Sequence, residues 1–305
     1  MAEGRAVTRS TSRPIVPFLV ACLGIATFSC MDAVMKRVSI DIGAYNAMLW
    51  RSLVGLAMSA VPFLILRETW PARGRILLHI KRSGAAGISV FLFFWGLVRV
   101  PMAEGVALTF LSPIIALLLA APMLGEKIRR SAIVACALAF AGVIVIVIGK
   151  SGEGGGPQAL HGAIAIVIAS LFYAYNLVLL RRSALLAGAI EITFFTNLVF
   201  SGLFVLGAPV AAIALPLQYA PLICLAAGLA IISSLLIAWA YARAEAQRLL
   251  PVEFTAFVWA AILGAIVFGE RVLPLTLLGA AMIIGGCAIA MRGKATPGPA
   301  TEAAA

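Results

Sequence analysis

Charged side chains are rare inside the apolar runs of this chain, and those few are where chemistry is first sought. Arg51 lies well inside an apolar stretch that begins near residue 44. At such depth a charge costs roughly 2.5–3.5 kcal/mol on insertion scales, so it calls for a partner or a function. Asp32 and Glu104 stand near the ends of neighbouring stretches, at a comparable depth. Arg51 paired with either would make a gate near the outer face; a permanent ion pair that fixes helix packing is the alternative. Asn176, Glu191, Asn197, Arg243 and Glu253 form a second polar set toward the opposite face. Two such sets suit a device in which one end closes while the other opens. Arg243 and Glu191 are long enough to reach lipid headgroups instead. Asp32, Glu104 and Glu253 are also the carboxylates able to carry protons.

Aromatic residues supply a second thread. Trp95, Trp239, Phe110, Phe254 and Tyr173 could stack on a planar solute or hold a cation. Trp residues also anchor helices at membrane interfaces, and Trp95 and Trp239 stand near span ends. Tyr173 and Tyr175 project about 200° apart on a helix, so at most one faces a cavity. Pro113 falls mid-span and frees a backbone carbonyl one turn earlier, as at a hinge or cavity wall, although membrane helices also tolerate proline without a function. Glu126 and Glu270 each precede a helix, where a carboxylate complements the positive dipole end, so they are read as structural.

These residues sit in a chain that is 63% hydrophobic and 11% charged. A soluble domain carries about a quarter charged residues, so most of this one reads as membrane span. The net charge of +11 does not point to nucleic acid, because the basic residues lie in short stretches between apolar runs. Cys22, Cys30, Cys136, Cys224 and Cys287 are scattered through apolar sequence without metal spacing and read as reduced, buried small residues. With only His79 and His161, neither a zinc site nor a histidine-based triad is supported. No cofactor or metal is expected. No nucleotide-binding G-x-x-x-x-G-K-[ST] run occurs, which argues against direct ATP coupling.

A window of about 20 residues places helices near 15–35, 44–66, 83–100, 103–124, 131–149, 160–180, 189–210, 220–242, 250–268 and 272–291. Arg5, Arg9 and Arg13 before the first of these imitate a secretory signal. That stretch has a counterpart in the second half, so it is read as a retained span. Lys and Arg divide 17 to 5 between alternate sides, which puts both termini in the cytoplasm of an inner-membrane protein. Residues 1–14 then form a cytoplasmic tail, 15–149 a first repeat, 150–159 a Gly-rich connector, 160–291 a second repeat, and 292–305 a disordered tail.

A shift of 144 positions superposes the two halves. Trp95 meets Trp239, Arg99 meets Arg243, Phe110 meets Phe254, and Gly125-Glu126-Lys127 meets Gly269-Glu270-Arg271. Phe28 meets Phe172 and Asp32 meets Asn176 at the same offset. A five-span unit is odd, so its second copy enters the membrane from the opposite side. The expected fold is an all-α membrane protein of ten transmembrane helices in two inverted five-helix repeats. Small residues at four-residue spacing, Ala135 with Ala139 and Ala281 with Gly285 among them, allow close packing of the fifth and tenth spans. Such faces join the two repeats or make a homodimer.

The run from Ser112 to Glu126, followed by a Gly-rich helix, resembles the EamA-type drug/metabolite transporters, as does its counterpart ending in Phe268-Gly269-Glu270. Met31 to Lys36 and Trp50-Arg51-Ser52 resemble the branch containing S-adenosylmethionine and riboflavin carriers. The resemblance covers nearly the whole chain. It implies ten helices around a central cavity, and a secondary transporter of a small organic metabolite rather than an enzyme. An amino-acid derivative or a planar heteroaromatic is the implied solute; an amino-acid or drug exporter of the same superfamily is the alternative. A channel would need a polar stripe along one helix, and an intramembrane enzyme a convergent catalytic set. Neither pattern is present. The expected partners are a small-molecule solute and the lipid bilayer.

Overall fold

The structure is a computed structural model that describes residues 15–66, 70–100, 102–124, 130–150, 157–214 and 217–269, with isolated residues between 278 and 289. Among the described residues, seven helical stretches are long and apolar enough to cross a membrane. They are α1 (Ile15–Ile42), α2 (Ala44–Leu66), α3 (Arg73–Leu97), α7 (Pro157–Leu186), α8 (Ala189–Ala211), α9 (Ala220–Arg243, preceded by a 3₁₀ turn) and α11 (Thr255–Phe268) taken together with the 3₁₀ segment before it. Between them lie α4 (Met102–Thr109), α5 (Leu111–Leu124), α6 (Arg130–Lys150) and the short α10 (Ala246–Leu249), which runs into a 3₁₀ segment, Leu250–Phe254. The tenth expected span, with Glu270, falls largely outside the described residues, and Glu126 lies wholly outside them.

The exterior is apolar and the interior carries the polar groups, the reverse of a soluble protein. Leu19, Leu23, Ile65, Ile164 and Leu171 are exposed, whereas Asp32, Arg51, Asn176, Asn197 and Glu253 are buried. Lipid accepts the outward leucines at no cost, but the polar groups must find partners within the bundle. Gly43 at φ +80° joins α1 to α2 through a single residue, and Gly269 at φ +67° ends α11. Both turns use the left-handed conformation that glycine enters without steric cost.

Several spans differ from their hydropathy bounds. α3 begins at Arg73, not near 83, and takes in residues that read as a connecting loop. Its charges account for this. Arg75, His79 and Arg82 recur at helical spacing on one face, turned toward α8, while Lys81 on the other face is exposed. Glu191 receives Arg75 at 3.4 Å and His79 Nε2 at 3.0 Å. The His79 ring stacks on Phe195 at 4.8 Å, and Arg82 donates to Thr196 Oγ1, Ser83 Oγ and the Ile192 carbonyl. A window average counts these residues as polar, but the fold gives each of them a partner inside. Glu191→Gln removes the anion of this cluster and should cost about 1–3 kcal/mol, read as a lowered thermal midpoint in detergent.

α1 and α7 also run past their expected ends near 35 and 180. Lys36 donates to the Val100 carbonyl at 3.3 Å and stands 5.0 Å over the Phe268 ring, and Arg181 donates to the Tyr241 carbonyl. These cations meet carbonyls at or just past the C-terminal ends of α3 and α9, where positive charge is favoured.

The expected fourth span is broken. α4 ends at Thr109 and α5 starts at Leu111, with Phe110 between them. Pro113 has no N–H for the Thr109 carbonyl, and Ser112 Oγ donates to that carbonyl instead. At the matching place in the second half, the 3₁₀ segment Leu250–Phe254 precedes α11. Phe110 and Phe254 occupy the two breaks, their ring centroids 4.9 Å apart.

The main helix pairings run between the halves: α3 with α7, α1 with α9, and α2 with α8. The 144-residue shift exchanges the first two and returns the third to itself. Ser89 Oγ donates from α3 to the Ala169 carbonyl of α7 at 2.8 Å, and Ser233 Oγ, its counterpart, from α9 to the Gly24 carbonyl of α1 at 2.9 Å. A methyl group at Gly285 would stand 3.7 Å from Leu138 Cδ2, so this one residue faces α6 within the chain.

Candidate functional site

A cavity, partly open, lies where the two helix breaks meet α1, α3 and α7; the space between atoms there, its open mouth included, is about 640 Å³. Each wall is one helix face. Ile25, Phe28 and Asp32 follow at three- and four-residue steps on α1, and Ser89 and Phe93 at a four-residue step on α3. Ala169, Ser170 and Tyr173 come from α7. Val106, Thr109, Phe110 and Pro113 come from the α4–α5 break, and Glu253 and Ala256 from the 3₁₀–α11 junction. Both halves therefore build the cavity. Two wall pairs, Ile25 with Ala169 and Thr109 with Glu253, are exchanged by the repeat shift. Irregular backbone at membrane depth is tolerated where it lines such a space.

The polar groups of the wall have distinct surroundings. Tyr173 donates its hydroxyl to Glu253 Oε2 at 3.0 Å. Asp32 is 7% exposed, and its Oδ1 has no hydrogen-bond partner. Thr109, Ser170 and Ser89 donate to the carbonyls of Val106 at 2.7 Å, Val167 at 2.6 Å and Ala169 at 2.8 Å. Among the described residues, no group of three or more His, Cys, Asp or Glu side chains is placed to hold a metal. The arrangement can bind and orient a small molecule.

The structure gathers part of the expected site and disperses the rest. Asp32, Phe110, Tyr173 and Glu253 line the cavity. Phe254 is fully buried behind Phe110 and holds it in place. Tyr173 is the inward tyrosine and Tyr175 is not in the wall. Asn176 is buried on α7 outside the wall, with Oδ1 unpartnered. Trp95 and Trp239 also stand outside it, each covered by an arginine four residues on: Arg99 lies 3.6 Å from the Trp95 centroid and Arg243 4.0 Å from that of Trp239. These tryptophans pair with cations at helix ends rather than facing the space.

Arg51 is buried on α2 with its guanidinium 5.9 Å from the Phe200 centroid. It lies within electrostatic range of Asp32, but no ion pair within 4.0 Å joins them among the described residues. The side chain of Glu104, the other expected partner, lies outside the described residues. Asn197 Nδ2 donates to the Thr193 carbonyl of its own helix at 3.0 Å. Sequence reasoning missed Ile25, Ser89, Phe93 and Thr109. The signal is there in the shift, which pairs Ile25 with Ala169, Ser89 with Ser233 and Thr109 with Glu253.

The chain is similar over part of its length to two curated bacterial proteins. It is 27% identical to a pseudopaline exporter of Pseudomonas aeruginosa over 131 residues, 42% of this chain and 45% of that protein. It is 36% identical to a probable terminal-alkyne amino-acid exporter of Streptantibioticus cattleyicolor over 97 residues, 31% of each chain. It therefore spans less than half the length of these curated relatives. One solved protein crystal structure superposes with a TM-score of 0.72 at 19% identity, covering 92% of this chain and 99% of that one, and shares its fold. The sequence pattern of the EamA-like transporter family matches residues 16–148 and again 160–292. A doubled match of that extent, on a bundle of apolar helices around a cavity shared by both halves, makes this chain a multi-span membrane protein belonging to the EamA-like transporter family.

Proposed function

We propose that the chain exports a small amino-acid-derived metabolite across the inner membrane by alternating access, with both termini in the cytoplasm. The observation that carries this reading is the cavity built jointly by the two halves, with Asp32 from one and Glu253 from the other. Two inverted five-helix halves rocking about this space would expose it to each face in turn. The helix breaks at Phe110 and Phe254 are the natural hinges, since each lacks part of the regular helical ladder. Arg51, close to Asp32 yet unpaired with it, suits a gate that forms its ion pair in another state of the cycle.

The exporters it resembles favour an amino-acid derivative as the solute. Nothing in those relatives favours S-adenosylmethionine or riboflavin. The test is counterflow in proteoliposomes across amino acids, amino-acid derivatives, S-adenosylmethionine and riboflavin. Saturable exchange of an amino-acid-type solute is expected. Unsaturable conductance would replace the carrier by a channel, and exchange confined to riboflavin or S-adenosylmethionine would restore the other branch.

A further inference from the structure

Resting on the reading of this cavity as a solute site, we infer that it selects a protonated amine carried on an apolar or aromatic body, and that Asp32 and Glu253 hold the amine. Among the described residues, the wall contains both carboxylates and no Lys, Arg or His. Both side chains are more than nine-tenths buried, and Asp32 Oδ1 faces no donor. A desolvated acceptor of this kind is costly until a donor reaches it, and a cation supplies donors and charge together.

The remaining polar atoms of the wall reinforce the selection. Every described hydroxyl already donates elsewhere: Ser89, Thr109 and Ser170 to backbone carbonyls, and Tyr173 to Glu253. The wall thus offers acceptors to a solute and no free donor among the described residues. An ammonium group meets this demand. A carboxylate finds like charges and no partner, so a free amino acid fits less well than the same molecule with its carboxyl removed or esterified.

Arg51 acts on Asp32 only at a distance. Its guanidinium lies against Phe200, it is absent from the wall, and it makes no ion pair with Asp32. The Tyr173 hydroxyl fixes one oxygen of Glu253, so that carboxylate is oriented before the solute arrives. Phe28, Phe93 and Phe110 supply apolar surface for the body of the solute and ring faces for its charged end.

The test uses the full chain in lipid nanodiscs at pH 7 and four matched probes: phenethylamine, phenylalanine, 2-phenylethanol and phenylacetate. Equilibrium dialysis should show saturable phenethylamine binding, at least about tenfold tighter than that of the other three. Asp32→Asn and Glu253→Gln should each weaken phenethylamine about tenfold or more and leave 2-phenylethanol unchanged. Equal or tighter binding of any of the other three probes overturns the inference, as does the absence of phenethylamine binding. The wild-type comparison stands even where a variant fails to fold. Counterflow separates this inference from the exporter reading. Phenylalanine moving faster than phenethylamine sinks the inference and spares the exporter, whereas no saturable exchange of any solute sinks the exporter even where the amine binds.

Discussion

Gly96→Val should destabilise the protein by roughly 3 kcal/mol or more and abolish transport. A Cβ at Gly96 would stand 2.5 Å from the Gly162 carbonyl oxygen and 2.6 Å from Ile166 Cγ1. At Gly162 it would meet Arg99 Cβ at 2.9 Å and the Gly96 carbonyl at 3.0 Å. The two helices touch backbone to backbone, so no rotamer change relieves the clash. This crossing joins α3 to α7 across the halves, and both helices wall the cavity. Separating them also strains the Ser89 bond to the Ala169 carbonyl. Gly202 on α8 is the control, because a Cβ there meets nothing within 4 Å. Gly202→Ala should be neutral or slightly stabilising. Thermal unfolding in detergent checks both, and a wild-type midpoint for Gly96→Val would mean that the crossing is looser than described.

Ala256→Trp should lower transport by about tenfold or more with the fold retained. Ala256 lines the cavity at the start of α11, three residues past Glu253, and is only partly buried. An indole there occupies the space a solute needs, and the open side of the cavity gives it room without forcing the backbone apart. Trp259, 37% exposed on the same helix and absent from the wall, provides the contrast. Trp259→Ala removes outward apolar surface and should leave the exchange rate near wild type. Counterflow rates normalised to folded protein decide between them. Wild-type exchange by Ala256→Trp would show that the cavity is off the transport path.

Asp32, Glu253, Phe110 and Tyr173 are legible in the sequence because polar or aromatic residues within apolar runs stand out by type alone. The breaks are half legible. Pro113 announces the freed carbonyl of Thr109, but nothing local tells that Ser112 occupies it or that Phe110 falls in the gap. Trp95 and Trp239 are ambiguous in sequence because helix-end and cavity positions share the same hydropathy. Arg99 and Arg243, four residues on, resolve them only through the stacking of guanidinium on ring in the folded helices. His79 and Arg82 read as loop charges for a similar reason. Their inward burial depends on Glu191 and Thr196, which lie more than a hundred residues away in the chain.

The amino-acid sequence by itself determined the membrane class, the doubled family pattern and the presence of buried carboxylates. Transfer free energy is a local property, summed residue by residue along one helix, and the repeat is written at a constant offset. Tertiary structure alone decided which face of each helix turns inward, that Arg51 stands apart from Asp32, and that every described wall hydroxyl is already engaged. Those outcomes follow from the pairing of α1 with α9, α3 with α7 and α2 with α8. Such pairings join residues from opposite halves, and no stretch of one half carries the shape of the surface it meets.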